Sequence, residues 1–159
     1  MKNIDCTACK IIPNTKFVIF ESDYWIISLA SDQHWLGRSY VTSKKHVEGL
    51  SELSASSWSG LKVVIECYEK KLKQVFGARL FNWSCLMNDA YSKAPYGPTH
   101  VHWHVRPRYE NSILFSGIEF KDQEFGKHYR TRWNGREDFV IPESAMLELQ
   151  KMLTIAGSE

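Results

Sequence analysis

The sequence has no run approaching the roughly 18 consecutive apolar residues of a membrane span. Its opening, MKNIDCTACK, is polar and lacks the apolar core of a secretory signal. It has little excess of charge: 20 Lys and Arg against 18 Asp and Glu leave a formal net charge of +2 with His neutral. So small an imbalance gives no footing for nucleic acid or for an anionic membrane surface. There is no internal repeat, no low-complexity segment and no linker. The expectation is a cytoplasmic protein with neither a membrane nor a nucleic acid as partner, in a compartment where thiols stay reduced. Its four Cys are then core residues or ligands rather than disulfides.

What is present fits one domain over residues 1–159, long enough to bury a core. Apolar residues make up 43% and charged residues 24%, as in ordinary globular proteins. Six Trp and seven Tyr are many for this length, and they supply core mass or line a pocket for a flat ring. Cys67 and Cys85 sit among apolar neighbours and read as core.

Residues Lys16–Phe20 and Tyr24–Leu29 are rich in β-branched and aromatic side chains around the turn Glu21-Ser22-Asp23, which predicts a hairpin. Arg38–Thr42 reads as a third strand. From Ser54 to Phe76 the period becomes helical through Leu61, Val64, Ile65, Tyr68, Leu72 and Val75. Glu66 with Lys70 and Glu69 with Lys73 are spaced as ion pairs on the opposite face, and Gly77 ends the helix. Lys70, Lys71 and Lys73 read as its solvated side. Leu80–Met87 is a fourth strand, Asn88–Pro98 a loop, and Thr99–Arg106 a fifth strand. A polar stretch with scattered aromatics follows, then a helix over Glu143–Leu153 with Pro142 at its start. This order predicts an α+β domain with a mainly antiparallel five-stranded sheet, one long helix and a C-terminal helix.

His100, Val101, His102, Trp103, His104 and Val105 are the most informative stretch. In a strand alternate residues share a face, so three imidazoles point one way and Val101, Trp103 and Val105 the other. Stacked imidazoles offer little apolar gain, and each ring needs polar partners. Two chemistries compete: a metal site, and nucleophilic and acid–base catalysis by a group that titrates near neutral pH. Cys6 and Cys9 have the spacing with which two thiolates grip one metal. Ile11-Ile12-Pro13 behind them is a poor helix start, which argues against a redox pair. A four-ligand site needs two His from elsewhere, and His46 and His100, both at strand ends, are the candidates. Such a closed site holds structural zinc. His34 and His128 read as surface or hydrogen-bonded His.

The pattern His100-Val101-His102-Trp103-His104-Val105 resembles the signature of the histidine-triad superfamily of nucleotide hydrolases and transferases. Cys6-Thr7-Ala8-Cys9-Lys10-Ile11 is similar to the opening of its zinc-containing members, Tyr40–His46 to the strand closing on Lys-x-His, and Pro107-Arg108-Tyr109 to the segment after the triad. Met87-Asn88 falls where the family has an Asn before its phosphate loop. The resemblance covers residues 6–110 and leaves 111–159 as an extension. It implies a homodimer whose sheet continues across the two-fold axis, and zinc on Cys6, Cys9, His46 and His100. It implies that His102 attacks an α-phosphate to form a nucleotidyl-histidine, while His104 donates to the phosphate or leaving group and His100 fixes the tautomer through its carbonyl. Asn88, Gly97 and Thr99 would bind the phosphate. The implied substrate is a dinucleoside polyphosphate, an adenosine phosphoramidate or a nucleotide sugar. The chain differs at Ala94–Thr99, where many members carry Gly-Gln-Ser, and at Ala30, with Asp32 nearby, where many carry an Asp for the ribose. Phe125, Tyr129 and Trp133 cover the site, extend the dimer or pack in the core. Two other readings stand: a nucleotide-binding regulatory protein with little turnover, and a hydrolase with a catalytic metal on the triad.

Overall fold

The computed structural model describes residues 5–92, 94–127 and 138–155. Its helices are α1 (Thr7–Ile11), α2 (Ala55–Phe76) and α3 (Glu143–Leu153). Its strands are β1 (Val18–Glu21), β2 (Trp25–Leu29), β3 (Ser39–Ser43), β4 (Leu80–Ser84), β5 (His102–Arg108), β6 (Ile113–Phe115) and β7 (Ile118–Phe120). Strands β1 to β5 form one antiparallel sheet in the order β1-β2-β3-β5-β4, so the expected α+β architecture is the observed one. Among the described residues, no helix is long and apolar enough to cross a membrane.

The strand period of two divides the sheet into two chemically distinct faces. Ile27, Val41, Val101 and Val105 are fully buried, and they share one core cluster with Leu61, Val64, Tyr68 and Leu72 of α2. Ser54 caps α2 by accepting from Ser57 N–H at 3.1 Å, and Gly77 closes it at φ 71°. Helix α3 buries Ala145, Met146, Leu149 and Leu153, and its Gln150 Nε2 donates to the Val18 carbonyl at 2.8 Å. Gly37 stands at φ +86°, and a Cβ there would meet Leu72 Cδ2 at 2.7 Å, so both conformation and space demand glycine.

The structure departs from expectation at the strand ends. β5 begins at His102 rather than Thr99, although Val101 still bonds on both sides, its N–H to the Val47 carbonyl at 3.0 Å and its carbonyl from Ser43 N–H at 3.1 Å. β4 stops at Ser84. Residues 7–11 do form a helix, because the Cys6 sulfur accepts from Cys9 N–H at 3.5 Å and supplies the cap. The hairpin β6–β7 was hidden in a polar stretch, and turns at Ser116 and Gly117, both at positive φ. Glu69 pairs with Lys73 at 3.2 Å, but Glu66 takes Lys62 at 2.5 Å instead of Lys70. Cys67 and Cys85 are half-buried rather than core residues, and Cys85 packs against the core from its edge.

Candidate active site

The uncovered face of the sheet, α1 and the loop before β5 enclose a cleft of about 570 Å³. Ile26 and Ser28 of β2, Tyr40 and Thr42 of β3, and the three histidines form its floor. Register explains the grouping: Thr42 pairs with His102 and Tyr40 with His104, so their side chains leave the sheet on the same side. Ala8, Ile11 and Ile12 supply an apolar wall, and Asp89, Ser92, Pro95 and Gly97 the opposite rim. The volume falls in the range of small-molecule sites.

His102 Nδ1 lies 2.8 Å from the His100 carbonyl oxygen. A carbonyl only accepts, so Nδ1 carries the proton and the Nε2 lone pair is the reactive one. That Nε2 is 3.2 Å from Nε2 of His104, which must then be the donor of the pair. His104 Nδ1 is left as a lone pair, and it is buried without a hydrogen-bond partner among the described residues. Burial above all, then the charges of His102, Arg106 and Arg38, lowers the His104 pKa to about 4. At neutral pH this ring is uncharged.

Beside the triad, Cys6, Cys9, His46 and His100 bring four ligand atoms within 4.8 Å of one another. His100 Nδ1 is 3.4 Å from Cys6 Sγ, 3.6 Å from Cys9 Sγ and 3.3 Å from His46 Nδ1. Cys9 Sγ is 3.5 Å from His46 Nδ1. A tetrahedral zinc with ordinary bond lengths sets nitrogen ligands about 3.3 Å apart and sulfur and nitrogen about 3.6 Å apart. The cluster therefore has the dimensions of a closed tetrahedral site. The outer nitrogens fit as well: His100 Nε2 is 2.7 Å from the Ser43 carbonyl and His46 Nε2 is 3.3 Å from Glu48 Oε1, which turns both Nδ1 lone pairs inward. Burial holds the Cys6 thiol above its usual range and His100 below its own. A cation between the sulfurs reverses the first effect.

The remaining candidates are placed differently. Gly97 lines the cleft, but Asn88 is exposed and does not; its neighbour Asp89 does. Thr99 spends its hydroxyl on the Glu48 carbonyl at 2.7 Å. Ala30 is buried, and Asp32 is engaged by Arg38 and by the backbone N–H groups of His34 and Phe139, each at 3.0 Å. His34 packs its ring edge-on to Trp35. Phe125 is half-buried, while His128, Tyr129 and Trp133 lie outside the described residues. Sequence reasoning passed over Arg106 and Arg108, only 1% and 2% exposed, although the alternation of the histidines runs straight on through both. Arg108 forms a buried bidentate pair with Asp122, Nε to Oδ2 at 2.5 Å and Nη2 to Oδ1 at 3.0 Å.

No protein-family model matches the sequence, and no curated protein matches it. Solved structures do match the fold. A hypothetical histidine triad nucleotide-binding protein from Sulfolobus tokodaii superposes with a TM-score of 0.63 at 19% identity, over 94% of this chain and 89% of that one. A Zn-bound histidine triad family protein from Mycobacterium smegmatis gives 0.58 at 17% identity, over 94% of each. A Plasmodium falciparum diadenosine triphosphate hydrolase gives 0.53 at 16% identity, over 87% of this chain and 75% of that one.

Proposed function

We propose, from the histidine-triad fold that this chain has, that it is a nucleotide phosphohydrolase or nucleotidyltransferase working at the α-phosphate through His102. One observation carries the reading: the 2.8 Å contact from His102 Nδ1 to the His100 carbonyl leaves Nε2 as a lone pair on the cleft. The base rests against the apolar wall of Ala8, Ile11 and Ile12 and against Ile26 of the floor, and the α-phosphate faces the triad. His102 Nε2 attacks phosphorus and the leaving group departs, giving a nucleotidyl-histidine. The positive charge that builds on the ring is shared with the His100 carbonyl through Nδ1–H. Water or an acceptor alcohol then releases the nucleotide. His104 donates Nε2–H to a phosphate oxygen once substrate displaces it from His102. The substrates are dinucleoside polyphosphates or adenosine phosphoramidates.

Zinc on Cys6, Cys9, His46 and His100 would brace the start of β5, having four protein ligands and no open position for water. We further propose a homodimer with a continuous sheet, in the cytoplasm. A second reading, a nucleotide-binding protein with little turnover, draws support from Asn88 off the cleft and Thr99 committed elsewhere. Mass spectrometry of the protein quenched with an adenylate substrate separates the two. An adenylyl group on His102, absent from His102→Ala, is the expected result; tight nucleotide binding with no adduct and no product would establish the second reading.

A further inference from the structure

The Ser43 N–H bonds to the Val101 carbonyl at 3.1 Å, which makes Thr42 and His102 a non-hydrogen-bonded pair across β3 and β5. Two residues along, Tyr40 and His104 repeat that arrangement, the one that brings opposing side chains closest. The Tyr40 ring accordingly packs edge-on to both imidazoles, its centroid 5.1 Å from that of His104 and 6.3 Å from that of His102. Tyr40 is half-buried and lines the cleft. Its hydroxyl has no hydrogen-bond partner among the described residues, and it is not a buried atom. The buried tyrosines differ. Tyr68 bonds to Ser39 and to the Gly37 carbonyl, and Tyr109 donates to the Leu36 carbonyl at 2.5 Å.

A phosphate at the triad needs hydrogen-bond donors around its oxygens, and the cleft offers few. None of the described residues lining it is Lys or Arg, while Asp5 and Asp89 are acidic. Thr99 and Ser92 spend their hydroxyls on the carbonyls of Glu48 and Asp89, at 2.7 and 2.8 Å. Tyr40 holds the unspent hydroxyl that stands against both reactive rings. A phenol is longer than an imidazole, so from a paired position it is able to reach past the His104 ring toward a group carried on His102 Nε2.

We infer that the Tyr40 hydroxyl donates a hydrogen bond to a non-bridging oxygen of the bound α-phosphate, forming with His104 Nε2–H a two-donor cradle. The inference rests on the reading of this cleft as a nucleotide site with its phosphate at the triad. Tyr40 is then a catalytic residue of the proposed reaction. As His102 Nε2 bonds to phosphorus and the leaving group departs, the charge on the non-bridging oxygens is met by the Tyr40 O–H and the His104 Nε2–H. Neither donor gives up its proton. Donors already in place stabilise that charge without reorganising at the moment of reaction. Tyr40 thereby fills the phosphate-binding role for which the sequence pointed to Asn88 and Thr99, the one exposed and the other committed to a carbonyl.

Tyr40→Phe tests this, because it deletes one hydroxyl that bonds to nothing else among the described residues and keeps the ring against His104. Calorimetric titration compares the wild type and the variant with AMP and with adenosine. The dissociation constant for AMP should rise ~10-fold while that for adenosine stays within about twofold. In turnover of diadenosine tetraphosphate, kcat should fall ~100-fold at an unchanged melting temperature. Unchanged AMP affinity overturns the inference, and so does a kcat within about threefold of the wild type. An equal loss for AMP and adenosine also overturns it, by placing the hydroxyl on the nucleoside. Selective loss of AMP affinity in a protein without turnover supports the phosphate contact and sinks the enzymatic reading alone. A wild type that binds neither AMP nor adenosine removes the nucleotide reading, and the inference with it.

Discussion

His100 and His102 are joined by a 2.8 Å contact from the backbone of one to the ring of the other, while the His100 ring itself stands in the cysteine cluster. The residue that fixes the nucleophile's tautomer is thus also one of the four that close a metal-sized cage. Rigidity supplied to the cage reaches the reactive nitrogen through a single residue.

Replacing His102 removes the atom that bonds to phosphorus without disturbing the core. His102→Ala should lower hydrolysis by ~10³-fold or more and shift the melting temperature by less than about 3 °C. Activity near the wild-type level in that variant would exclude the nucleophile assignment.

The cage predicts a separation of stability from chemistry. Cys9→Ala should lose bound zinc, read by elemental analysis, and melt roughly 5 °C or more below the wild type. Brief treatment of the folded protein with a chelator should lower its melting point while leaving the initial rate largely intact. An instant loss of turnover would instead point to a metal with an open position.

His104 makes stability depend on pH in a definite direction. Its folded-state pKa is lowered to about 4, below the ordinary value of 6.5, so folding favours the neutral ring. In that window the unfolded chain binds more protons, and stability falls as pH drops from 6.5 toward 4. His104→Gln cannot take up that proton, and it should lose less stability than the wild type between pH 7 and pH 5. Parallel denaturation curves at the two pH values would contradict the burial of this ring.

The Arg108–Asp122 pair, each side chain 2% exposed, ties the extension to β5. Asp122→Asn leaves a buried guanidinium short of its counter-charge, and should cost about 3–5 kcal/mol, read from urea denaturation. A loss below about 1 kcal/mol would mean that the Arg108 bonds to the Asn82 side chain and the Glu124 carbonyl suffice.

Periodicity identified α2, because an apolar residue every three to four positions has one helical solution, and Pro142 marked the start of α3, whose bounds were read to the residue. The alternation of His100, His102 and His104 determined that the three rings share a face, and the spacing of Cys6 and Cys9 marked them as a pair. What local pattern cannot carry is register and capping. Only the pairing of β3 with β5 puts Tyr40 and Thr42 beside the histidines, and only the turn of the chain after Ser43 brings His46 to Cys9. Asn88 and Thr99 stand in the right stretch of sequence, but the former faces solvent and the latter a backbone carbonyl, since where a loop side chain points depends on contacts made dozens of residues away. The charge state of His104 was beyond the sequence for the same reason: it follows first from burial, which only the packed sheet creates, then from His102 and Arg106 on its own strand and from Arg38, which the sheet brings near.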